Sequence, residues 1–246
     1  MEEDAVRQQW MSEQIDLKQR LSLIDKSKWN KEDIKYIAGV DISFFKDNHV
    51  DAISSLVVMT YPNCNVVYED YELVKLELPY ISGFLGFREV PHLVKLIDSL
   101  KKKSPQYTPD VILVDGNGIL HPRGFGLASH LGVLTEMVTI GVAKKLLFID
   151  GVTREKVKDW TDEHLHQGGD SFKIVGDSGN IHGAILRSTT DSTKPIYVSI
   201  GHNVSLETSL DIVKAVCINR IPEPIRQADL RSRDVVRKAL NNSSIS

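Results

Sequence analysis

Three β-rich runs, Tyr36–Ser43, Asp51–Met59 and Val66–Val74, follow one another with only short turn-forming breaks at Asp47-Asn48 and Pro62-Asn63. Strands this close in sequence pair by doubling back, so the pattern predicts an antiparallel meander. Then the period changes. Val90, Leu93, Val94, Leu96, Ile97 and Leu100 recur at helical spacing and predict a helix from about Arg88 to Lys103, after an irregular glycine-containing stretch at Pro79–Gly86. Val111–Val114 is a continuous apolar run, which suits a strand buried on both faces of a parallel sheet.

A second helix near Leu127–Glu136 and a buried strand at Thr139–Ala143 extend the series. Further on, strands are expected at Gly183–Leu186 and Ile196–Ile200, and helices at Ser205–Arg220 and Glu223–Leu240. An amphipathic helix is expected over residues 1–30. Three antiparallel strands followed by helix, strand, helix, strand is the order of a ribonuclease H-like α/β fold, with a mixed central sheet and helices on both faces. No repeat, low-complexity tract or Pro/Ser linker divides the chain, so residues 1–246 are expected to form one domain with a flexible tail at 241–246.

Composition excludes several classes. With 41% hydrophobic and 26% charged residues the chain is neither disordered, collagen-like nor a coiled coil. Its apolar runs fall short of the roughly 20 residues that span a bilayer, and the acidic start Met1-Glu2-Glu3-Asp4 lacks a secretory apolar core. Two cysteines, Cys64 and Cys217, cannot build a disulfide framework. A reducing compartment, cytoplasmic and nuclear, is expected, with the nucleolus left open, and the protein is expected to be a monomer without membrane association. The formal net charge is −3, but residues 212–246 carry seven basic and three acidic groups, so an acidic body bears a basic C-terminal helix. Such asymmetry permits a phosphate-binding face, although a solvated basic helix explains it as well.

Two carboxylates stand out. Asp41 lies inside the first strand between Val40 and Ile42, where a bare charge is costly unless paired or bound to metal. Asp115 closes the fourth strand, and if the first and fourth strands are parallel neighbours the two acids meet. Glu89, in the first turn of the intervening helix, can point to the same place, and Asp229 on the last helix is available as a fourth group. Clustered acids raise one another's proton affinity, and a divalent cation removes the conflict. Hard oxygen donors with retained waters suit Mg²⁺, whose chemistry includes phosphodiester hydrolysis. Singly, each acid also has a plain structural reading, Asp115 as a capping residue and Glu89 as a helix-dipole partner. Lys144, at the next strand end, can hold a phosphate as a point charge or merely be solvated.

Other strings lead nowhere. Gly116-Asn117-Gly118 lacks the third glycine of a dinucleotide-binding turn, which would fall at His121. Gly176-Asp177-Ser178-Gly179 resembles a serine nucleophile loop but is read as a β-turn of turn formers. His164 and His166 have no second ligand pair and are read as loop residues.

Five strings in order carry a family resemblance: GVDISF from Gly39, PYISGFLGFRE from Pro79, VDGNGILHPRGFGLASHLG from Val114, GVAKK from Gly141 and RIPEPIRQAD from Arg220. Together they resemble endonuclease V over roughly residues 35–240, in phrasing closer to animal than bacterial members. The resemblance implies Mg²⁺-dependent hydrolysis, with Mn²⁺ as a substitute, of the second phosphodiester bond 3′ to inosine, leaving 3′-hydroxyl and 5′-phosphate ends. It implies Asp41, Asp115, Glu89 and Asp229 as metal-binding and catalytic acids, and Lys144 beside the scissile phosphate. Some bacterial relatives carry His where Asp229 stands. Tyr80 matches an aromatic wedge beside the modified base, and base stacking of about 1 to 3 kcal/mol makes that role physically reasonable. Gly83, Gly116, Gly118 and Gly124, with His121, are the implied pocket residues, glycine allowing close backbone approach. A pocket with no partner for a 2-amino group excludes guanine. Animal relatives imply single-stranded, inosine-containing RNA as substrate, and no residue announces the 2′-hydroxyl contact that would decide it. The alternatives are a deoxyinosine-directed DNA repair endonuclease and a non-catalytic inosine-RNA binding module.

Overall fold

A computed structural model of the chain describes residues 2–26, 30–46, 48 and 50–243. The elements run in the order α1 (Glu2–Lys18), β1 (Tyr36–Phe44), β2 (Asp51–Thr60), β3 (Val66–Lys75), α2 (Leu85–Lys103), β4 (Val111–Asp115), α3 (Leu127–Thr135), β5 (Val138–Ala143), α4 (Arg154–His164), β6 (Ser171–Val175), β7 (Ile181–Leu186), β8 (Ile196–His202), α5 (Leu206–Ala215) and α6 (Glu223–Ser243). The strands form one eight-stranded mixed sheet in the order β3-β2-β1-β4-β5-β8-β7-β6. β1, β2 and β3 are the expected antiparallel meander, and β1, β4 and β5 run parallel. This is the mixed α/β sheet of the ribonuclease H-like reading.

Alternation along the strands assigns each residue a face. Ala38, Val40, Ile112 and Val114 pack beneath α2 and α3 with Val90, Leu93, Ile97 and Leu131. Ile37, Val57, Leu113 and Ile140 point the other way, toward Ile212 of α5 and Ile225 and Ala228 of α6. Asp41 shares the parity of Ile37, and its carboxylate meets Ser232 of α6. α6 comes very close to β1 because Gly39 has no side chain: a Cβ there would meet the Pro224 carbonyl oxygen at 2.1 Å.

Several expectations are corrected. The first helix ends at Lys18, not near residue 30. Leu21 turns into the α5/α6-side core, and the chain beyond it is drawn into backbone bonding with the end of β8, Asn203 N–H donating to Ser22 O and Lys26 N–H to Asn203 O. Asp25 then accepts from the Ser205 N–H and the Thr208 hydroxyl at the start of α5. Residues 27–29 of the expected helix, Asp47 of the expected turn, and residues 244–246 of the expected tail lie outside the described residues. The helix expected to reach Arg220 stops at Ala215, and just beyond it the Val216 carbonyl accepts from the Glu223 N–H at the start of the last helix. Two elements were not expected. α4 presents few apolar residues, but the Thr153 side chain caps it by accepting from Lys156 N. It also makes His164 the last residue of a helix, stacked at 4.0 Å on Phe172 of the equally unexpected β6. Gly176–Gly179 is the expected turn, closed by Gly179 N–H to Gly176 O at 3.0 Å.

No helix among the described residues is long and apolar enough to cross a membrane. The basic C-terminal helix is largely self-compensated: Arg226 pairs with Glu223, Arg233 with Asp229, Arg231 with Glu69, and Arg237 and Lys238 with Asp234.

Candidate active site

The parallel register pairs Val40 with Val114. Asp41 and Asp115 follow them at the carboxyl ends of adjacent strands, where open α/β sheets place their ligand sites. Glu89 enters from the second turn of α2, because the helix begins at Leu85 and not near Arg88 as expected. All three line a cavity of about 230 Å³, closed by Leu85, Leu93 and Leu127.

Each acid has its own environment. Asp41 Oδ2 accepts from the hydroxyls of Ser43 and Ser232, both at 2.9 Å, and the two hydroxyls lie 2.7 Å apart. Burial raises the proton affinity of Asp41, the two hydroxyls oppose that, and the charges of Asp115 and Asp229 add to it. Both hydroxyls act on one oxygen, Oδ2. Glu89 is 9% exposed, and burial first, then the charge of Asp41, push it up to about 8, with Arg88 opposing and Asp115 adding. Asp115 is paired with Lys144, Nζ to Oδ2 at 2.5 Å. The Lys144 backbone is held in turn, its carbonyl accepting from Arg220 Nη2, which also donates to Pro195 O. Asp229 stands apart from the cavity lining: its Oδ1 is engaged by Arg233 at 2.8 Å, and it reaches Asp41 by charge.

Among the described residues no three His, Cys, Asp or Glu groups already stand as a closed ligand set. The donor set nevertheless suits a hard cation. Two mutually repelling carboxylates with raised proton affinity and a third beside them face one small cavity, and their oxygens are the ligand type Mg²⁺ takes.

A second cavity, of about 260 Å³, lies next to the first across Leu85 and Leu127. Tyr80, Gly83, Gly116 and His121 of the expected pocket line it, with Arg123 and Phe125. Tyr80 is 67% exposed at its edge. His121 is held down to about 4 by burial and by Arg123; its Nδ1 accepts from the Arg123 N–H, which leaves Nε2 as the protonated nitrogen of the neutral ring. Gly118 and Gly124 lie outside this lining. A Cβ on Gly118 would strike the Ile200 carbonyl oxygen at 1.9 Å, so that glycine serves the packing of the loop on β8. Gly124 holds φ at +63°, a turn conformation that glycine adopts freely.

Three groups escaped the sequence reading. Ser43 and Ser232 hold Asp41 from two elements. Gln14 of α1 is buried between the two pocket loops, donating to Phe125 O at 2.8 Å and accepting from Arg123 Nε. Arg123 itself donates to Gly83 O and lies 4.0 Å over the Phe84 ring, while Lys18 donates to Arg123 O at 2.6 Å. Only the amphipathic character of α1 hinted that its buried face covers something.

The comparisons with known proteins agree with one another. The Endonuclease V family model matches residues 15–230. The chain is 49% identical over 240 residues to Endonuclease V of Mus musculus, covering 96% of this chain and 71% of that protein. It is 47% identical to the Homo sapiens protein over 94% of this chain and 83% of that one. Among solved structures, the catalytic domain of human Endonuclease V superposes with a TM-score of 0.93 at 46% identity, covering 96% and 98% of the two chains. Endonuclease V of Ciona intestinalis, in complex with a 23mer DNA containing an inosine followed by a ribo-adenosine, gives 0.92 at 38% identity, covering 96% and 99%. With its fold, its converging acids and these likenesses together, the chain belongs to the Endonuclease V family of nucleases.

Proposed function

We propose that the chain is a Mg²⁺-dependent endoribonuclease that cuts inosine-containing, preferably single-stranded RNA at the second phosphodiester bond 3′ to inosine, leaving 3′-hydroxyl and 5′-phosphate ends. The observation that carries this reading is the adjacency of two cavities sharing Leu85 and Leu127, one with three carboxylates and one with an aromatic edge and glycine walls. The Ciona intestinalis relative, bound to DNA with an inosine followed by a ribo-adenosine, supports both the modified base and a ribose next to it.

Asp41, Asp115 and Glu89 are the residues to hold the metal, Mn²⁺ substituting for Mg²⁺, with Asp229 acting on Asp41 from α6. The chemistry such a cation supplies when bound is a hydroxide at neutral pH and stabilisation of the departing oxygen. The rest is done by the chain. Ser43 and Ser232 fix Asp41 through its Oδ2. Lys144, a compact cation on a flexible stem, exchanges Asp115 for a substrate phosphate. Glu89, pushed up to about 8 by burial and the charge of Asp41, would give up its proton in holding the cation. In the second cavity Tyr80 takes the stacking place of the displaced purine, and glycine backbone approaches the hypoxanthine edge without a partner for a 2-amino group.

Parallel cleavage of matched single-stranded oligonucleotides, RNA with one inosine and DNA with one deoxyinosine, tests the reading with end mapping. Inosine RNA cut faster, one nucleotide beyond the inosine, is expected. Equal or faster cutting of the DNA favours the repair endonuclease, and inosine RNA bound but uncut in Mg²⁺ and Mn²⁺ favours a binding module.

A further inference from the structure

A third cavity, of about 640 Å³, opens beside Tyr80. Its walls are Phe44, Val50, Leu76, Leu78, Pro79 and Leu85, with Arg88 and Glu89 at its inner end. It is continuous with both sites already described: Tyr80 and Leu85 also line the 260 Å³ cavity, and Leu85 and Glu89 also line the carboxylate cavity. Tyr80 thus borders both cavities.

That arrangement has a consequence for any strand lying across it. An aromatic side chain inserted between two bases unstacks both. One enters the 260 Å³ cavity, and the other loses its neighbour and meets the nearest apolar surface. The third cavity supplies that surface. Leu78 and Val50 present half-exposed aliphatic faces, at 45% and 44% exposure, above buried Leu76. The Arg88 guanidinium lies 5.3 Å over the Phe44 ring, a flat cationic platform at the end nearest the acids. Shared walls also fix the direction. The scissile bond lies 3′ of the recognised base, so the strand passing from Tyr80 to Glu89 is the 3′ side.

From this continuity we propose that the third cavity is a nucleobase subsite for the nucleotide immediately 3′ of inosine, beside Tyr80. It rests on the inosine-directed cleavage proposed above. Its walls are aliphatic and aromatic with few polar groups, so the subsite holds a base by burial and stacking. It accepts all four bases, purines better than pyrimidines, and discriminates against a missing one.

The test is single-turnover cleavage of single-stranded RNA carrying one inosine and one abasic ribose, placed in turn 5′ of the inosine, immediately 3′, or second on the 3′ side. Wild type is compared with the Val50→Ala and Leu78→Ala double variant. The expected result is a half-saturating protein concentration about tenfold higher with the abasic site immediately 3′, the loss that follows from about 1.4 kcal/mol of stacking. The double variant is expected to weaken binding of the base-bearing RNA and not of that abasic RNA. An unchanged half-saturation with the immediate 3′ abasic site, a larger loss at either other position, or equal weakening of both RNAs by the double variant overturns the subsite. Those results leave inosine recognition intact when wild type still prefers inosine to adenosine. Loss of that preference removes the underlying reading and the subsite with it.

Discussion

Ser232 Oγ, on α6, lies 2.9 Å from Asp41 Oδ2, on β1, and 0% of Ser232 is exposed. A hydrogen bond spanning 191 positions in sequence therefore sets the orientation of an acid at the centre of the candidate active site. Removing the hydroxyl leaves Oδ2 with Ser43 alone, and a hydrogen bond to a charged group is worth about 1.5 to 3 kcal/mol. Ser232→Ala is expected to lower kcat about tenfold or more with KM little changed and the fold intact. Steady-state kinetics beside a thermal unfolding curve checks this; a changed KM with unchanged kcat would place Ser232 in substrate binding instead.

Glu89 gives a prediction for stability. Its folded-state pKa of about 8 lies above the ordinary 4.5 because of burial and the charge of Asp41. In metal-free buffer the folded protein therefore holds a proton there that the unfolded chain releases, and stability contributed by the neutral acid is lost as pH rises from about 4.5 through 8. Glu89→Gln resembles the protonated form. It is expected to leave Tm nearly unchanged at pH 5 and to raise it at pH 8.5 without metal, by an amount on the order of a few kcal/mol in stability. An equal shift at both pH values would contradict the assignment.

His121 and His130 act in the acid range. Both are held down to about 4 from 6.5, chiefly by burial. His130 is 4% exposed and sits edge-on to Phe87 at 4.8 Å. The unfolded chain binds protons on these rings between about 6.5 and 4 while the folded chain does not, so stability falls as pH drops through that window. Chemical denaturation between pH 7 and 4.5 is expected to show this loss, and His130→Gln to flatten the slope while lowering stability at pH 7. A slope unaffected by the substitution would remove His130 from the acid transition.

Much of this was legible in the chain itself, for physical reasons that can be named. Val40-Asp41-Ile42 and Val114-Asp115 announced their acids because a charge beside strand residues buried on both faces is costly, and the parallel register followed from an uninterrupted apolar run. α4 and β6 stayed hidden because Arg154–His164 has too few apolar residues to show a helical stripe and Ser171–Val175 is an edge strand with one buried residue, Ile174. Ser232 and Gln14 were invisible for another reason. Their meaning lies in partners far along the chain, Asp41 and Arg123, and a lone Ser or Gln inside a helix carries no local mark of that. Gly118 and Gly124 are expected as pocket residues from the resemblance alone; the structure sets Gly118 against Ile200 of β8 and Gly124 in a left-handed turn.

The central claim is that Asp41, Glu89 and Asp115 act on a strand whose modified purine sits beside Tyr80. Cleavage of a single-stranded RNA bearing one inosine, by wild type and by Asp41→Ala in Mg²⁺ with both product ends mapped, tests it most directly. The account predicts one cut, a 3′-hydroxyl and a 5′-phosphate for wild type, none for the adenosine control, and a loss of at least about a thousandfold for Asp41→Ala, the scale on which removing a principal catalytic group acts. Undiminished cleavage by Asp41→Ala would contradict it.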